Sequence, residues 1–195
     1  MARVDDLAER FHKHVSAPWQ KNLTGAERTV FLVYPRTDER KLLARLPLYE
    51  EKTRQAGHGW RVFSFHSLFS EWFATLDADH QQVLLDEPES FHLEMDLDGH
   101  HDSPFTRYVA TKLLELLSDE ASDANTVIAL IGAGSLYGFT RLSAVLDRVR
   151  HALRGQLLVF FPGSFDGSQY RLLDARDGAS YLAVPITPFN GAFES

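Results

Sequence analysis

Residues 132–138 follow an apolar run and are rich in glycine and other small residues, which could form an anion-binding loop. They are Gly132, Ala133, Gly134, Ser135, Leu136, Tyr137 and Gly138. Glycines allow close approach of a phosphate to the backbone, and a loop between a strand and a helix is where open α/β sheets hold ligands. A dinucleotide fingerprint would need glycine at Tyr137, and no lysine follows Lys112, so a Walker A loop is absent.

Two interpretations of this segment stay open. The first is a structural turn, in which a glycine takes a positive φ and small residues permit close helix packing. The second is a ligand- or anion-binding loop without hydrolysis. Its residues would be Gly132, Gly134, Ser135, Tyr137 and Gly138.

Ser135 and Ser164 are the serines whose surroundings could suggest a nucleophile. Both lie in a G-S-x-x-G pattern rather than in the G-x-S-x-G of hydrolases, and no histidine and acid are placed beside either one. The chain also contains no cysteine, which excludes thiolate catalysis, disulfides and iron–sulfur clusters. We therefore expect no catalytic residues, no cofactor and no enzymatic activity.

A strongly acidic segment separates the two halves of the chain. Between Arg61 and Arg107 there is no lysine or arginine, whereas ten aspartates and glutamates and five of the nine histidines fall there. Imidazole and carboxylate groups are crowded at Asp96, Asp98, His100, His101 and Asp102. They are competent metal ligands, but their spacing fits no EF-hand and no H-E-x-x-H site. We expect a solvated acidic insertion or loop over residues 77–104 and no metal.

A third segment combines turn residues with aromatic and charged ones. It contains Pro162, Gly163, Phe165, Asp166, Gly167 and Arg171. Pro-Gly and Asp-Gly predict two tight turns, after which the chain returns as an edge strand. Alternatively, these residues form an interaction loop beside the glycine-rich segment, because both should emerge from neighbouring strand ends.

Length and composition indicate one cytoplasmic globular domain. The chain has 195 residues, of which 44% are hydrophobic and 24% charged, and its formal charge is −7. We therefore expect a single α/β domain over residues 1–195, with the acidic insertion inside it. The amino-terminal residues are charged where a signal peptide is apolar, and no apolar run is long enough for a membrane span.

Hydrophobic periodicity places helices and strands in alternation. Strands are predicted at Thr29–Tyr34, Trp60–Phe65, Thr126–Ile131 and Leu157–Phe161, with short ones near Tyr170–Leu173 and Tyr181–Pro185. Helices are predicted at Val4–Val15, Leu68–Leu76 after a Ser67 cap, Tyr108–Leu117 and Leu142–Leu153. Between Asp38 and Gln55, Pro47 either kinks one helix or occupies the first position of a second helix. Continuous apolar strands favour a three-layer α/β fold: a mostly parallel central sheet with helices on both faces, Rossmann-like or P-loop-like without Walker A.

Two stretches resemble a known family. They are IALIGAGSLYGFTRLSAVLDRV at residues 128–149 and LLVFFPGSFDGSQYRLL at residues 157–173. Together with the opening DDLAERFHKHV and FLVYP, they are similar to the BrxB family, which is encoded in bacterial BREX phage-defence clusters. The resemblance extends from about Val4 to Val184, except over residues 77–102, which do not align.

The resemblance implies a component of a complex that methylates host DNA and blocks phage replication. It implies other BREX proteins as partners, foremost the alkaline-phosphatase-like PglZ, then the ATPase BrxC and the methyltransferase PglX. The family has no agreed catalytic residues to transfer. Our leading interpretation is a non-catalytic adaptor that binds a protein partner through apolar and acidic surface.

Two further functions remain as alternatives. One is a degenerate nucleotide- or phosphate-binding module that uses the glycine-rich loop without hydrolysis. The other is weak DNA binding through one basic helix, although the acidic balance of the chain opposes it. The arginines concerned are Arg141, Arg148, Arg150 and Arg154.

Overall fold

A computed structural model describes residues 2–20, 22–87, 103–167, 169–173 and 181–188, and a six-stranded sheet forms its centre. The strands are β1 Thr29–Tyr34, β2 Gly59–Ser64, β3 Thr126–Ile131, β4 Gln156–Asp166, β5 Gln169–Leu172 and β6 Val184–Ile186. The order across the sheet is β2-β3-β4-β1-β6, and these strands pair in parallel. β5 pairs antiparallel with the end of β4.

Helices cover both faces of this sheet. They are α1 Ala2–Val15, α2 Glu39–Leu43, α3 Leu46–Gln55, α4 Leu68–Phe73, α5 Ala78–Asp86, α6 Pro104–Ser118 and α7 Leu142–Val149. The buried residues of α1, α2 and α3 pack on one face, and those of α4, α6 and α7 pack on the other. The predicted three-layer α/β fold, with a mostly parallel sheet, is confirmed.

The central strand β1 shows why its sequence folds this way. All six of its residues are buried. Because side chains alternate along a strand, Phe31 and Val33 enter the core under α4, α6 and α7, whereas Val30 and Leu32 enter the core under α1 and α3. A strand buried on both faces has no polar side, which explains its uninterrupted apolar sequence.

Several helix ends differ from the sequence-based prediction. Pro47 lies in the first turn of a separate helix, α3, which is the second of the two predicted alternatives, whereas other helix ends differ. α4 ends at Phe73, and Ser67 does not cap it, because its hydroxyl donates to Glu71 instead, at 2.5 Å. α7 ends at Val149, and a 3₁₀ turn over Arg150–Ala152 follows it.

Part of the acidic segment is helical rather than a loop. α5 lies within it, and the carboxylate of Asp77 accepts a hydrogen bond from the His80 amide at 3.0 Å as its amino-terminal cap. Such a cap satisfies one of the amides that the first helical turn leaves unpaired. Residues 88–102 lie outside the described part of the chain.

The turn predicted at Pro162-Gly163 is wrong, because β4 continues through these residues to Asp166. Gly163 lies opposite Leu172 of β5. A Cβ atom at position 163 would lie 2.0 Å from the Arg171 carbonyl oxygen. The chain reverses direction only near Gly167, which takes a φ of +56°.

The resulting β4–β5 hairpin packs over the sheet. Tyr170 of β5 is almost fully buried, and its ring centroid lies 4.7 Å from that of Phe31 and 5.5 Å from that of Tyr181. Its hydroxyl donates to the Ala183 carbonyl at 2.9 Å. These contacts place the hairpin on the face that also carries α4, α6 and α7.

Candidate functional site: a cleft at the carboxyl end of the sheet

A cleft of about 210 Å³ opens where the parallel strands β1, β2 and β3 end, beside Pro162 of β4. β1 continues into α2 and α3 on one face, whereas β3 continues into α7 on the other. In open α/β sheets, ligands bind at the crevice where successive connections diverge to opposite faces. The residues that matter for its chemistry are Arg36, Glu39, His66, Gly132, Gly134 and Ser135.

The glycine-rich segment forms the turn after β3. Gly132 takes a φ of +76°, as expected for a structural turn, and Ala133–Leu136 forms a 3₁₀ turn. A Cβ atom at Gly132 would lie 2.8 Å from His66 Nε2, so the imidazole lies directly against this backbone. Gly138 also takes a positive φ, at +83°.

Glu39 brings a half-buried carboxylate into the cleft. It opens α2, just beyond the end of β1, and its Oε2 accepts a hydrogen bond from the hydroxyl of Tyr34, the last residue of β1, at 2.5 Å. Burial raises the pKa of Glu39, whereas the Tyr34 hydrogen bond and the nearby His66 act in the opposite direction. Burial also raises the pKa of Tyr34 well above its ordinary value, so Tyr34 is the donor in this pair.

His66 enters the cleft from the turn after β2. Its Nδ1 lies 3.1 Å from Ser64 Oγ, and its backbone amide donates to the same oxygen at 3.3 Å. Ser64 therefore orients the ring, with Nε2 towards Gly132. The sequence analysis missed Glu39 and His66, and their only local signal is their position just after a predicted strand.

The remaining residues of the predicted ligand-binding loop lie at the edge of the cleft or near it. Ser135 lines the cleft, and Tyr137 is 51% exposed. Within the described residues no hydrogen bond joins Ser135 to His66 or to Glu39, so the three do not form a nucleophilic triad. The arrangement offers hydrogen-bond acceptors and positive charge, which suit binding.

The predicted interaction loop is divided between two places. Pro162 lines the cleft, whereas Phe165 and Gly167 line a separate groove of about 580 Å³ with Thr24 and Leu182. The remaining residues follow the hairpin: Gly163 packs against β5, Asp166 lies at the end of β4, and Arg171 is an exposed residue of β5.

The acidic segment exposes both charge and apolar surface in its described part. No residue of α5 is buried, and Val83 and Leu85 are 54% and 64% exposed. The His80 amide lowers the pKa of Asp77. The candidate metal ligands Asp96, Asp98, His100, His101 and Asp102 lie outside the described residues. Within the described residues, no cluster of three histidines or carboxylates could hold a metal ion.

Two of the four arginines considered for DNA binding are engaged within the chain. Arg150 pairs with Asp147 at 2.9 Å, and Arg154 donates to the carbonyl oxygens of Leu117 and Asp119. Arg141 and Arg148 also have interaction partners. DNA binding through this region stays an untested prediction.

The fold and the cleft define a class of protein: a three-layer α/β protein with a ligand-type crevice and no Walker A lysine. The family described as "BREX protein BrxB" matches residues 92–186, slightly less than half of the chain. Over these residues the chain is similar to the BrxB family of BREX phage defence, and the predicted resemblance is confirmed. The matched part contains the Gly132 turn and the hairpin.

Apart from this family, no curated protein and no solved structure matches the chain. Within the described residues, no helix has the length and apolar character needed to cross a membrane.

Proposed function

We propose that this BREX component is a non-catalytic adaptor that binds another BREX protein through α5. The observation that carries the proposal is a helix with no buried residue and two well-exposed aliphatic side chains, Val83 and Leu85. Exposed apolar surface rimmed by polar residues is typical of protein-binding sites.

The attachment of α5 leaves these side chains free to meet a partner. Gln81 donates from its side-chain amide to the carbonyl oxygens of Phe73 and Leu76, both at 3.0 Å. Leu84 packs against the core, whereas Val83 and Leu85, on either side of it in the sequence, are well exposed. Full burial of an aliphatic side chain stabilises a complex by roughly 1.5–3 kcal/mol, and these two would each contribute part of that.

Charge gives the surface a preferred partner. Asp77, Asp79, Asp86 and Glu87 are exposed along α5 and its ends, and the chain has no lysine or arginine between Arg61 and Arg107. An acidic surface accelerates association with a basic one and disfavours direct contact with phosphate. The family points to other BREX proteins, foremost a PglZ-like protein, then BrxC and PglX.

The first test is capture of partners by the tagged chain from cells that carry its own gene neighbourhood. We expect a PglZ-like protein at stoichiometric yield, and mass spectrometry identifies it. The double variant Val83→Ser/Leu85→Ser should lower that yield at least tenfold without changing the melting temperature. The control Leu182→Ser removes a side chain that is 75% exposed in the separate groove and should bind like the parent.

Salt dependence tests the electrostatic part separately. The variant Asp79→Asn/Asp86→Asn should associate more slowly, and its affinity should depend less on salt concentration, because it has lost two steering charges. Asp77 is left intact because it caps α5. Normal capture by the Val83→Ser/Leu85→Ser variant would contradict the assignment of α5 as the binding surface.

A further inference from the structure

We propose that the cleft at the carboxyl ends of β1, β2 and β3 binds the ribose-phosphate unit of a small nucleotide. In this arrangement Glu39 accepts hydrogen bonds from the ribose hydroxyls, and the phosphate lies against the Gly132 turn beside His66 and Arg36. The inference concerns a site separate from α5 and does not depend on the adaptor function.

The size of the cleft limits what enters it. At about 210 Å³ it is smaller than the roughly 300–1,000 Å³ of pockets that enclose whole drug-sized ligands. It therefore suits a sugar and one phosphate, with the base outside at the rim. Its position, where connections diverge to opposite faces of the sheet, is the one that α/β proteins use for such ligands.

The mixed charge of the cleft decides which chemistry fits. A plain anion would meet the carboxylate of Glu39, and a plain cation would meet the guanidinium of Arg36. A ligand with hydrogen-bond donors at one end and negative charge at the other is complementary to a cleft that carries both signs of charge. A phosphorylated sugar with a vicinal diol has that polarity.

Glu39 has acceptor capacity left for a diol. An ionised carboxylate offers about four acceptor positions, and in the described part of the chain its side chain accepts one hydrogen bond, from Tyr34. Glu39 is half-buried, so water solvates this carboxylate incompletely, and the same burial raises its pKa. Two donors from a diol would supply the missing hydrogen bonds.

The other wall is built for close approach of a phosphate. Gly134 presents backbone rather than a side chain, and a Cβ atom there would have no neighbour closer than 3.6 Å; glycine-containing turns of this kind commonly receive phosphate groups. His66 lies directly against Gly132, and an imidazole nitrogen can donate a hydrogen bond. Arg36 lines the same cleft.

Calorimetry on the full chain tests the proposal with four probes: ribose 5-phosphate, AMP, 2′-deoxyAMP and inorganic phosphate. We expect AMP and ribose 5-phosphate to bind one per chain, with affinities within tenfold of each other. 2′-DeoxyAMP should bind at least tenfold more weakly, because it lacks one hydroxyl that Glu39 would accept, and inorganic phosphate should bind more weakly still. Absence of heat for AMP and ribose 5-phosphate at two temperatures would overturn the proposal.

Two variants assign the roles within the cleft. Glu39→Gln removes the charge but can still accept from Tyr34, and it should reduce the preference for AMP over 2′-deoxyAMP to less than threefold. In Gly134→Ala the added Cβ would lie 3.6 Å from Leu173 and 3.7 Å from Pro162, which the fold accommodates. The methyl group would occupy cleft space and should weaken binding of AMP and ribose 5-phosphate at least tenfold.

Matched controls keep the test interpretable. Glu51→Gln makes the same chemical change at an exposed position of α3 and should bind every probe like the parent. Thermal unfolding of each variant verifies that it is folded, and Gly134→Ala carries the test if Glu39→Gln does not fold. Unchanged binding in Gly134→Ala, or an unchanged preference in Glu39→Gln, would refute the assigned geometry. Binding of 2′-deoxyAMP equal to that of AMP in the parent would refute the role of the diol.

Discussion

Replacement of Gly163 by alanine tests whether the β4–β5 hairpin is an integral part of the fold. The added Cβ atom would lie 2.0 Å from the Arg171 carbonyl oxygen and 2.9 Å from Phe161 Cε1. Real Cβ atoms do not approach backbone oxygens so closely, so β5 has to move away by more than 1 Å. Because Tyr170 is part of β5, its packing on Phe31 moves with it.

The magnitude follows from these two effects. Overpacking of a well-packed region costs roughly 1–3 kcal/mol. Complete loss of a buried aromatic side chain costs about 3–5 kcal/mol, and a displaced Tyr170 would lose only part of that. We expect a loss of about 2–4 kcal/mol in unfolding free energy, which for a chain of this size corresponds to a melting temperature lower by roughly 5–15 °C.

Thermal unfolding followed by circular dichroism measures this loss. Gly138→Ala is the matched control: nothing lies within 4 Å of its added Cβ, so the only cost is the positive φ of +83°, roughly 1–2 kcal/mol. Proteolysis should also cleave the Gly163→Ala variant within the hairpin before the parent. A melting temperature within 2 °C of the parent, or a larger loss in Gly138→Ala, would refute the close-packing argument.

Three further predictions concern hydrogen bonds and titration. Tyr170→Phe loses the hydrogen bond to Ala183 and should lower the unfolding free energy by about 1 kcal/mol in urea titrations; an unchanged midpoint would contradict it. Burial lowers the pKa of His14, so the fold favours its neutral form and loses stability as the pH falls from about 6.5 through the lowered pKa. His14→Gln should flatten that decline in urea midpoints, and a parallel pH profile would contradict the assignment. Asp77→Ala removes the cap on the His80 amide and should raise amide hydrogen exchange in α5 severalfold while β1 remains unchanged.

The sequence predicted the central strands well because their signal is local and complete. The structure has β1 and β3 with the predicted bounds, Thr29–Tyr34 and Thr126–Ile131. Almost every residue of these strands is buried, so the pattern of apolar residues alone defines where each strand begins and ends. The bounds of β1 and β3 could therefore be predicted without information from the rest of the chain.

The course of β4 was not predictable in the same way. Pro-Gly is a strong local signal for a turn, yet Gly163 lies inside an extended strand. The reason for glycine there is the close approach of the Arg171 carbonyl from the neighbouring strand. A contact between residues that meet only in the folded hairpin leaves no local pattern, and the dipeptide signal therefore misled the prediction.

The cleft also depends on residues that are far apart in the sequence, and local sequence patterns do not reveal such contacts. Its glycine-rich wall was predicted from residues 132–138, but Glu39 and His66 follow other strands, far away in sequence. They line the same cleft because β1 and β2 are parallel strands of one sheet, so their carboxyl ends lie at the same edge. Strand order is set by packing of whole elements, and the sequence analysis left it undetermined.

The cleft and α5 differ in what holds them in place, and this difference predicts how each one binds. The cleft lies between the ends of buried strands, so its residues are positioned before a ligand arrives and little ordering opposes binding. α5 has no buried residue and is held by Gln81 and Leu84, so it belongs to the least protected part of the fold. A partner that binds α5 must therefore order it, and amide exchange in residues 78–86 should slow markedly in the complex. A nucleotide in the cleft should protect the 132–136 turn and leave α5 unchanged.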